Sequence, residues 1–195
     1  AAATKNTEAL IAATRTLITY QPKAHLNVFV RCLQHEDDRV RQLGIVGIGR
    51  SHELSQVDAL THALDDTSPH VKRLAVHALG QLGCESSIQT LVLKGRSASS
   101  ELRMAISNSL NVLPMEAVVS VLSETAVASD RLTRSITAYL AAKLNFSDLV
   151  VSLLKDPDEL VRKQATLGLA DLVGQSEAHI LTAAQDALKD SSWKV

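Results

Sequence analysis

Aromatic residues are scarce in this chain. One Trp, two Tyr and two Phe make up 3% of its 195 residues. That argues against β-sandwiches, whose half-buried pleated surfaces are filled by aromatic and β-branched side chains. Cysteine is scarce too. Cys32 and Cys84 stand far apart, with no CxxC and no Cys/His cluster. The pair makes no disulfide framework and reads as two small core residues of a protein in a reducing compartment. Charge of one sign is missing as well: the formal net charge is −1. A dedicated nucleic-acid binder carries a basic excess, because phosphate neutralisation supplies most of its affinity. No nucleic-acid partner is therefore expected. No apolar run approaches the ~18 residues of a membrane span. No basic-then-apolar signal segment opens the chain, so a cytoplasmic location is expected.

Catalytic signatures are equally absent. There is no serine elbow, P-loop or dinucleotide glycine pattern. The histidines (His25, His35, His52, His62, His70, His77 and His179) show no HxxxH or HExxH spacing and read as surface residues. The expectation is a protein that is not an enzyme and has no cofactor or metal site.

What is present is a repeat. Hydrophobic residues make up 46% of the chain, mostly Ala, Leu and Val, which suits closely packed helices. From Val71 to Leu82, apolar or small residues fall at offsets 0, 3, 4, 7, 8 and 11, one stripe of a helix. Ser68 precedes it as a candidate N-cap, with Pro69 at the first helical position. The block recurs at Val40, Leu102, Thr133 and Val161, at spacings of 31, 31, 31 and 28 residues. In the last copy, Asp156, Pro157 and Glu159 have the spacing of a capping box. Shorter apolar-periodic segments at 23–34, 55–64, 86–94, 115–125, 147–155 and 177–189 read as first helices, A, each packing on a second helix, B. Neither helix buries its stripe alone, so hairpins must stack on their neighbours.

The run D-x-S-P-x-V-K/R-x-x-A-x-x-A-L-G-x-L-G at residues 66–83 resembles a HEAT repeat, of the short variety found in phycobilin lyase subunits. The resemblance covers about residues 22–195 and implies an all-α fold, a right-handed α-solenoid of about five HEAT-like hairpins. These span about 22–51, 55–83, 86–113, 115–145 and 147–174, in a single domain of residues 1–195. Residues 1–20 fit a lone helix B with Ala9, Ala13 and Leu17 on its stripe. Residues 176–195 form a second partial repeat, in which Asp190 to Val195 matches Asp66 to Val71. An array that starts and stops within a repeat is expected to belong to a longer protein with further domains.

A basic residue follows the first stripe position of helix B in every full repeat: Arg41, Lys72, Arg103, Arg134 and Arg162. Asp66 and Lys72, like Asp156 and Arg162, are six residues apart. The resemblance implies that such a turn aspartate and helix-B cation form a structural ladder along the stack. The glycines Gly44, Gly47 and Gly49 occupy small-residue offsets of helix B, where close helix packing accounts for them. His35-Glu36 and His52-Glu53 are similar to the His-Glu pairs of deoxyhypusine hydroxylase, but they lie in turns rather than within helix B. Acidic turns at Asp37-Asp38 and Asp65-Asp66 read as caps and first-turn charges.

In HEAT-type arrays the B helices line the concave surface. Offsets 2, 5, 6 and 9 should point away from the buried stripe. Offset 2 carries Gln42, Arg73, Met104, Ser135 and Lys163, and offset 6 carries Val46, His77, Asn108, Tyr139 and Leu167. Val46, Met104, Tyr139 and Leu167 are expected to be exposed there, as adaptable or anchoring contacts for a protein or peptide partner. The expected function is a non-catalytic scaffold, adaptor or regulatory domain. The alternatives are a phycobilin lyase-like subunit, whose bilin carboxylates would need Arg73, Arg103 and Arg134, and a HEAT-like DNA binder.

Overall fold

The structure is a computed structural model that describes residues 2–172, 178–187 and 189. The described residues form helices and turns, with no strand. A first helix, α1 (Ala2–Tyr20), is followed by five pairs. These are α2 (Leu26–Cys32) with α3 (Asp38–Ser51), and α4 (Val57–Ala63) with α5 (Pro69–Leu82). Next come α6 (Glu85–Gly95) with α7 (Ser100–Leu110), and α8 (Met115–Ala126) with α9 (Arg131–Lys143). The fifth is α10 (Ser147–Leu153) with α11 (Glu159–Leu169), after which α12 (Ala178–Ala187) follows. The all-helical hairpin architecture expected from the repeat is the one observed. Asp190 to Val195, the segment matched to a further repeat, lies outside the described residues.

The helix ends follow from single side chains. Asp37, Asp130 and Asp158 are N-caps whose carboxylates accept from backbone N–H groups that have no intrahelical partner. Pro69 opens α5. Ser68 has cap backbone geometry, but its hydroxyl does not cap; it donates instead to Asp38 Oδ2 at 2.9 Å. The N-cap expected at Asp156 lies two residues later, and with Val161 three residues beyond it no capping box follows. Asp158 caps α11, while Asp156 Oδ1 accepts from the Asp158 N–H at 2.8 Å. Helix B ends in the left-handed region at His52 (φ 54°) after α3 and at Gly83 (φ 58°) after α5. Asn145 (φ 61°) follows α9.

The chain divides into two compact units, Ala1–Leu91 with Ser100–Ser109, and Val92–Ser99 with Leu110–Val195. In the first unit, α1 packs on α3, α3 on α2 and α5, and α5 on α4. Its core includes Phe29, Val40, Ile45, Ile48, Leu60, Val71 and Leu79, all with no exposed surface. The glycines of α3 are needed for the close approach of α2. A Cβ at Gly44 would stand 2.6 Å from the Phe29 carbonyl oxygen, and one at Gly47 would overlap the Phe29 ring. The stripe of α1 is rotated from its expected position. Ile11, Thr14 and Ile18 are buried, while Ala9 and Ala13 are exposed. Isoleucine removes far more apolar area from water than alanine does, so the larger side chains set the rotation.

In the second unit, α9 packs on α8, α10 and α11, and α12 lies on α10 and α11. Ala138, Ala141, Val150, Val161, Ala165 and Leu172 form its core. The hydroxyls of Thr137 and Thr125 meet within it at 2.8 Å.

Helix B is more deeply buried than its stripe implies. Offset 5 is covered at Ile45, Val76, Ser107 and Ala138, and offset 9 at Gly49, Gly80 and Ala142. A B helix packs both on its own A helix and on neighbouring B helices, which leaves only a narrow strip in water. Offsets 5 and 9 were expected to face away from the core. They lie in the contact between B helices.

Candidate interaction surfaces

Two arginine clamps order the turn edge. In the first unit, Arg41 Nη1 donates back to the carbonyls of His35 (2.8 Å) and Glu36 (2.9 Å) in its own turn. Its Nε and Nη2 reach forward to both carboxylate oxygens of Asp66, at 2.7 and 2.9 Å. In the second unit, Arg134 holds Ala128 O and Ser129 O in the same way and grips Asp156 at 2.7 and 3.0 Å. The expected carboxylate pairs, Asp66 with Lys72 and Asp156 with Arg162, are replaced by pairs with the arginine of an earlier hairpin. Six residues back along their own turns, Arg41, Arg134 and Arg162 meet a carbonyl, not a carboxylate. Arg162 Nη1 donates to Asp156 O at 3.0 Å and to Pro157 O at 3.1 Å. For Arg162 the spacing of six thus located the contact but not its chemistry.

These pairs are shielded, with 13% of each arginine side chain exposed and 11% and 5% of Asp66 and Asp156. The Arg41 hydrogen bond holds Asp66 below the usual carboxylate range, against the opposing effect of burial. Burial pushes Asp156 upward, but Arg134, the Asp158 N–H and nearby cations outweigh it, and the net shift is down.

The histidine pairs do not converge. His35 Nδ1 accepts the Asp37 N–H at 3.0 Å, doing for its turn what Asp66 and Asp156 do for theirs. His52 is the left-handed cap of α3. Among the described residues no three His, Cys, Asp or Glu side chains gather. The acidic turn is also used locally: Asp37 caps α3 and binds Arg39, and Asp38 accepts from Gln42 and Ser68.

The two helix-B rows fall in both units. In the first, Arg73, His77, Met104 and Asn108 are exposed, and Gln42 and Val46 are half-buried. In the second, Lys163 and Leu167 are exposed, and Ser135 and Tyr139 are half-buried. Met104 and Leu167 show 57% and 58% of their surface. Val46 and Tyr139 are less open than expected. Lys143 Nζ sits 5.9 Å from the Tyr139 ring centre while bonding Asp171 at 2.9 Å. Val46 lies in the floor of a notch of about 230 Å³ among α1, α3 and α5, with Ile11, Leu43 and Leu74. Glu8, Arg15 and Arg39 stand around this floor. Sequence reasoning missed Ile11 and Arg15, because the stripe assigned to α1 had the wrong phase.

The model of the HEAT repeats family matches residues 28–111 and, in an overlapping window, 57–142. No curated protein matches the chain. Among solved structures, the chain is similar to one from the structural basis of microtubule plus end tracking by XMAP215, CLIP-170 and EB1. The TM-score is 0.52 at 14% identity, over 86% of this chain and 91% of that one. It is also similar to the archaeal HEAT-like repeats protein of Thermococcus onnurineus NA1, with TM-score 0.46 and 16% identity over 92% and 95% of the two chains. A third likeness is to the complex of CpcE and CpcF of phycocyanin lyase from Nostoc sp. PCC7120, with TM-score 0.45 and 20% identity. That match covers 76% of this chain and 65% of the lyase chain. At 14% identity the first of these likenesses speaks for the fold alone.

Proposed function

The chain belongs to the HEAT-repeat family, and from that premise we propose that it is a non-catalytic interaction module. It serves as a scaffold, adaptor or regulatory domain that holds a protein or peptide partner on its helix-B surfaces. The observation that carries this reading is the contrast between turn edge and rows. The turn charges are consumed within the chain, in caps and arginine clamps. The rows instead present exposed Met104, with Arg73, His77 and Asn108, in the first unit, and exposed Leu167, with Lys163, in the second. Adaptable apolar side chains set among sparse charge suit a protein surface better than a phosphate backbone. A bilin-binding role would draw on Arg73, Arg103 and Arg134, and Arg134 is already committed to Asp156 and two carbonyls. No helix among the described residues is long and apolar enough to cross a membrane. Both cysteines are free thiols, in keeping with action in the cytoplasm.

The test is affinity capture from native lysate, comparing the parent chain with a Met104→Ala/Leu167→Ala variant. Both positions are exposed, so equal melting of the two chains is expected. A protein held by the parent and lost by the variant supports the proposal. Capture of only a chromophore or nucleic acid refutes it.

A further inference from the structure

The notch of the first unit has a chemistry that narrows the partner. Its floor is aliphatic: Ile11, Leu43, Val46 and Leu74. Its volume, about 230 Å³, falls below the ~300–1,000 Å³ of sites that enclose whole small molecules. That is room for one aliphatic side chain. The charges around it are unequally engaged. Arg39 is held by Glu8 at 2.8 Å and by Asp37 at 2.7 Å, which ties α1 to α3 and leaves that guanidinium occupied. The Arg15 guanidinium bonds to no other side chain among the described residues; apart from the helix ladder, its carbonyl accepts from the Thr19 hydroxyl. The notch therefore offers one apolar socket and one uncommitted cation.

We propose that this notch anchors a peptide segment of the form Leu-x-Glu, with the leucine in the socket and the carboxylate on Arg15. The proposal rests on the interaction-module reading and specifies its partner. Arg15 follows Ile11 by one helical turn, which places their Cβ atoms roughly 5–6 Å apart. In an extended peptide, side chains two residues apart share a face at about 6.6 Å, so the acid belongs two positions from the leucine. The Arg15–carboxylate contact supplies a charge-assisted hydrogen bond that a peptide with lysine or alanine in place of the glutamate cannot make.

The experiment is a titration of the isotope-labelled chain with the blocked peptide Ac-Ser-Leu-Ser-Glu-Ser-NH2, followed by amide chemical shifts. A second titration uses the same peptide with Lys in place of Glu. Shifts centred on Ile11, Arg15, Leu43 and Val46 are expected with the Glu peptide. Arg15→Glu should weaken it about ten-fold and reverse the preference toward the Lys peptide. Binding indifferent to that charge swap overturns the proposal. If notch shifts are absent while lysate capture through Met104 and Leu167 persists, this inference alone is overturned. If both are absent, it falls together with the interaction-module reading.

Discussion

Arg134 and Asp156, 22 residues apart, form a two-pronged ion pair: Nε to Oδ2 at 2.7 Å and Nη2 to Oδ1 at 3.0 Å. The remaining Nη1 of Arg134 holds two carbonyls of its own turn. One planar group thus closes a turn and fastens it to the next hairpin, a geometry that lysine cannot reproduce. Arg41 and Asp66 repeat the arrangement in the first unit.

Removing either partner should be costly. Arg134→Ala or Asp156→Ala is expected to destabilise by about 2–3 kcal/mol, since the partner left behind is a shielded charge. Arg134→Lys should recover less than half of this. Urea unfolding of the single and double variants gives the coupling energy. A coupling below ~0.5 kcal/mol would mean that the pair behaves like an ordinary surface ion pair.

Acid should unfold the chain through the same pairs. Asp66 and Asp156 have depressed carboxyl pKa values when folded. The unfolded state then binds protons first, near the ordinary aspartate value of about 3.9. The stability they contribute is fully present above that pH and is lost as pH falls through the folded values. Asp66→Asn/Asp156→Asn should flatten the fall in stability below roughly pH 4. An unchanged acid limb in the double variant would contradict this origin.

His52 holds a left-handed backbone (φ 54°) that costs a side-chain-bearing residue energy. His52→Gly should raise stability by about 1 kcal/mol, whereas Asn145→Gly, starting from a residue that tolerates this region, should gain only a few tenths. Thermal melts of the two variants decide whether His52 is a conformational cap or has contacts that offset the strain.

The two thiols should react unequally. Burial pushes the Cys32 thiol up, and its side chain is buried. At Cys84, burial also pushes upward, but hydrogen bonds with Ser86 and Ser87 bring the net shift down, and the residue is half-buried. A disulfide reagent on the native chain should label Cys84 first, and Cys32 only on unfolding. Two equally fast thiols would show that the α1–α3 region opens readily.

Much of this protein was legible in its sequence, because helix periodicity is local. Of the five residues that opened the repeated stripe, Val40, Val71 and Val161 are fully buried, Thr133 is buried and Leu102 is half-buried. The candidate rows were legible in part: Arg73, His77, Met104, Asn108, Lys163 and Leu167 do face water. Val46 was misjudged because its exposure depends on Leu74 of α5 and Ile11 of α1. Tyr139 was misjudged because Lys143 lies over its ring.

Stripe, cap and turn residues determine where each helix begins, ends and turns its apolar side, since those forces act over one or two turns of chain. Tertiary packing decided the rest. It set the rotation of α1, the burial of offsets 5 and 9, and the transfer of Asp66 and Asp156 from the expected same-turn cation to an arginine of an earlier hairpin. It also built the notch beside Arg15. These features depend on how far one hairpin is displaced and rotated against the next, and side-chain volumes such as those of Phe29 and Gly47 set that displacement only once the helices meet.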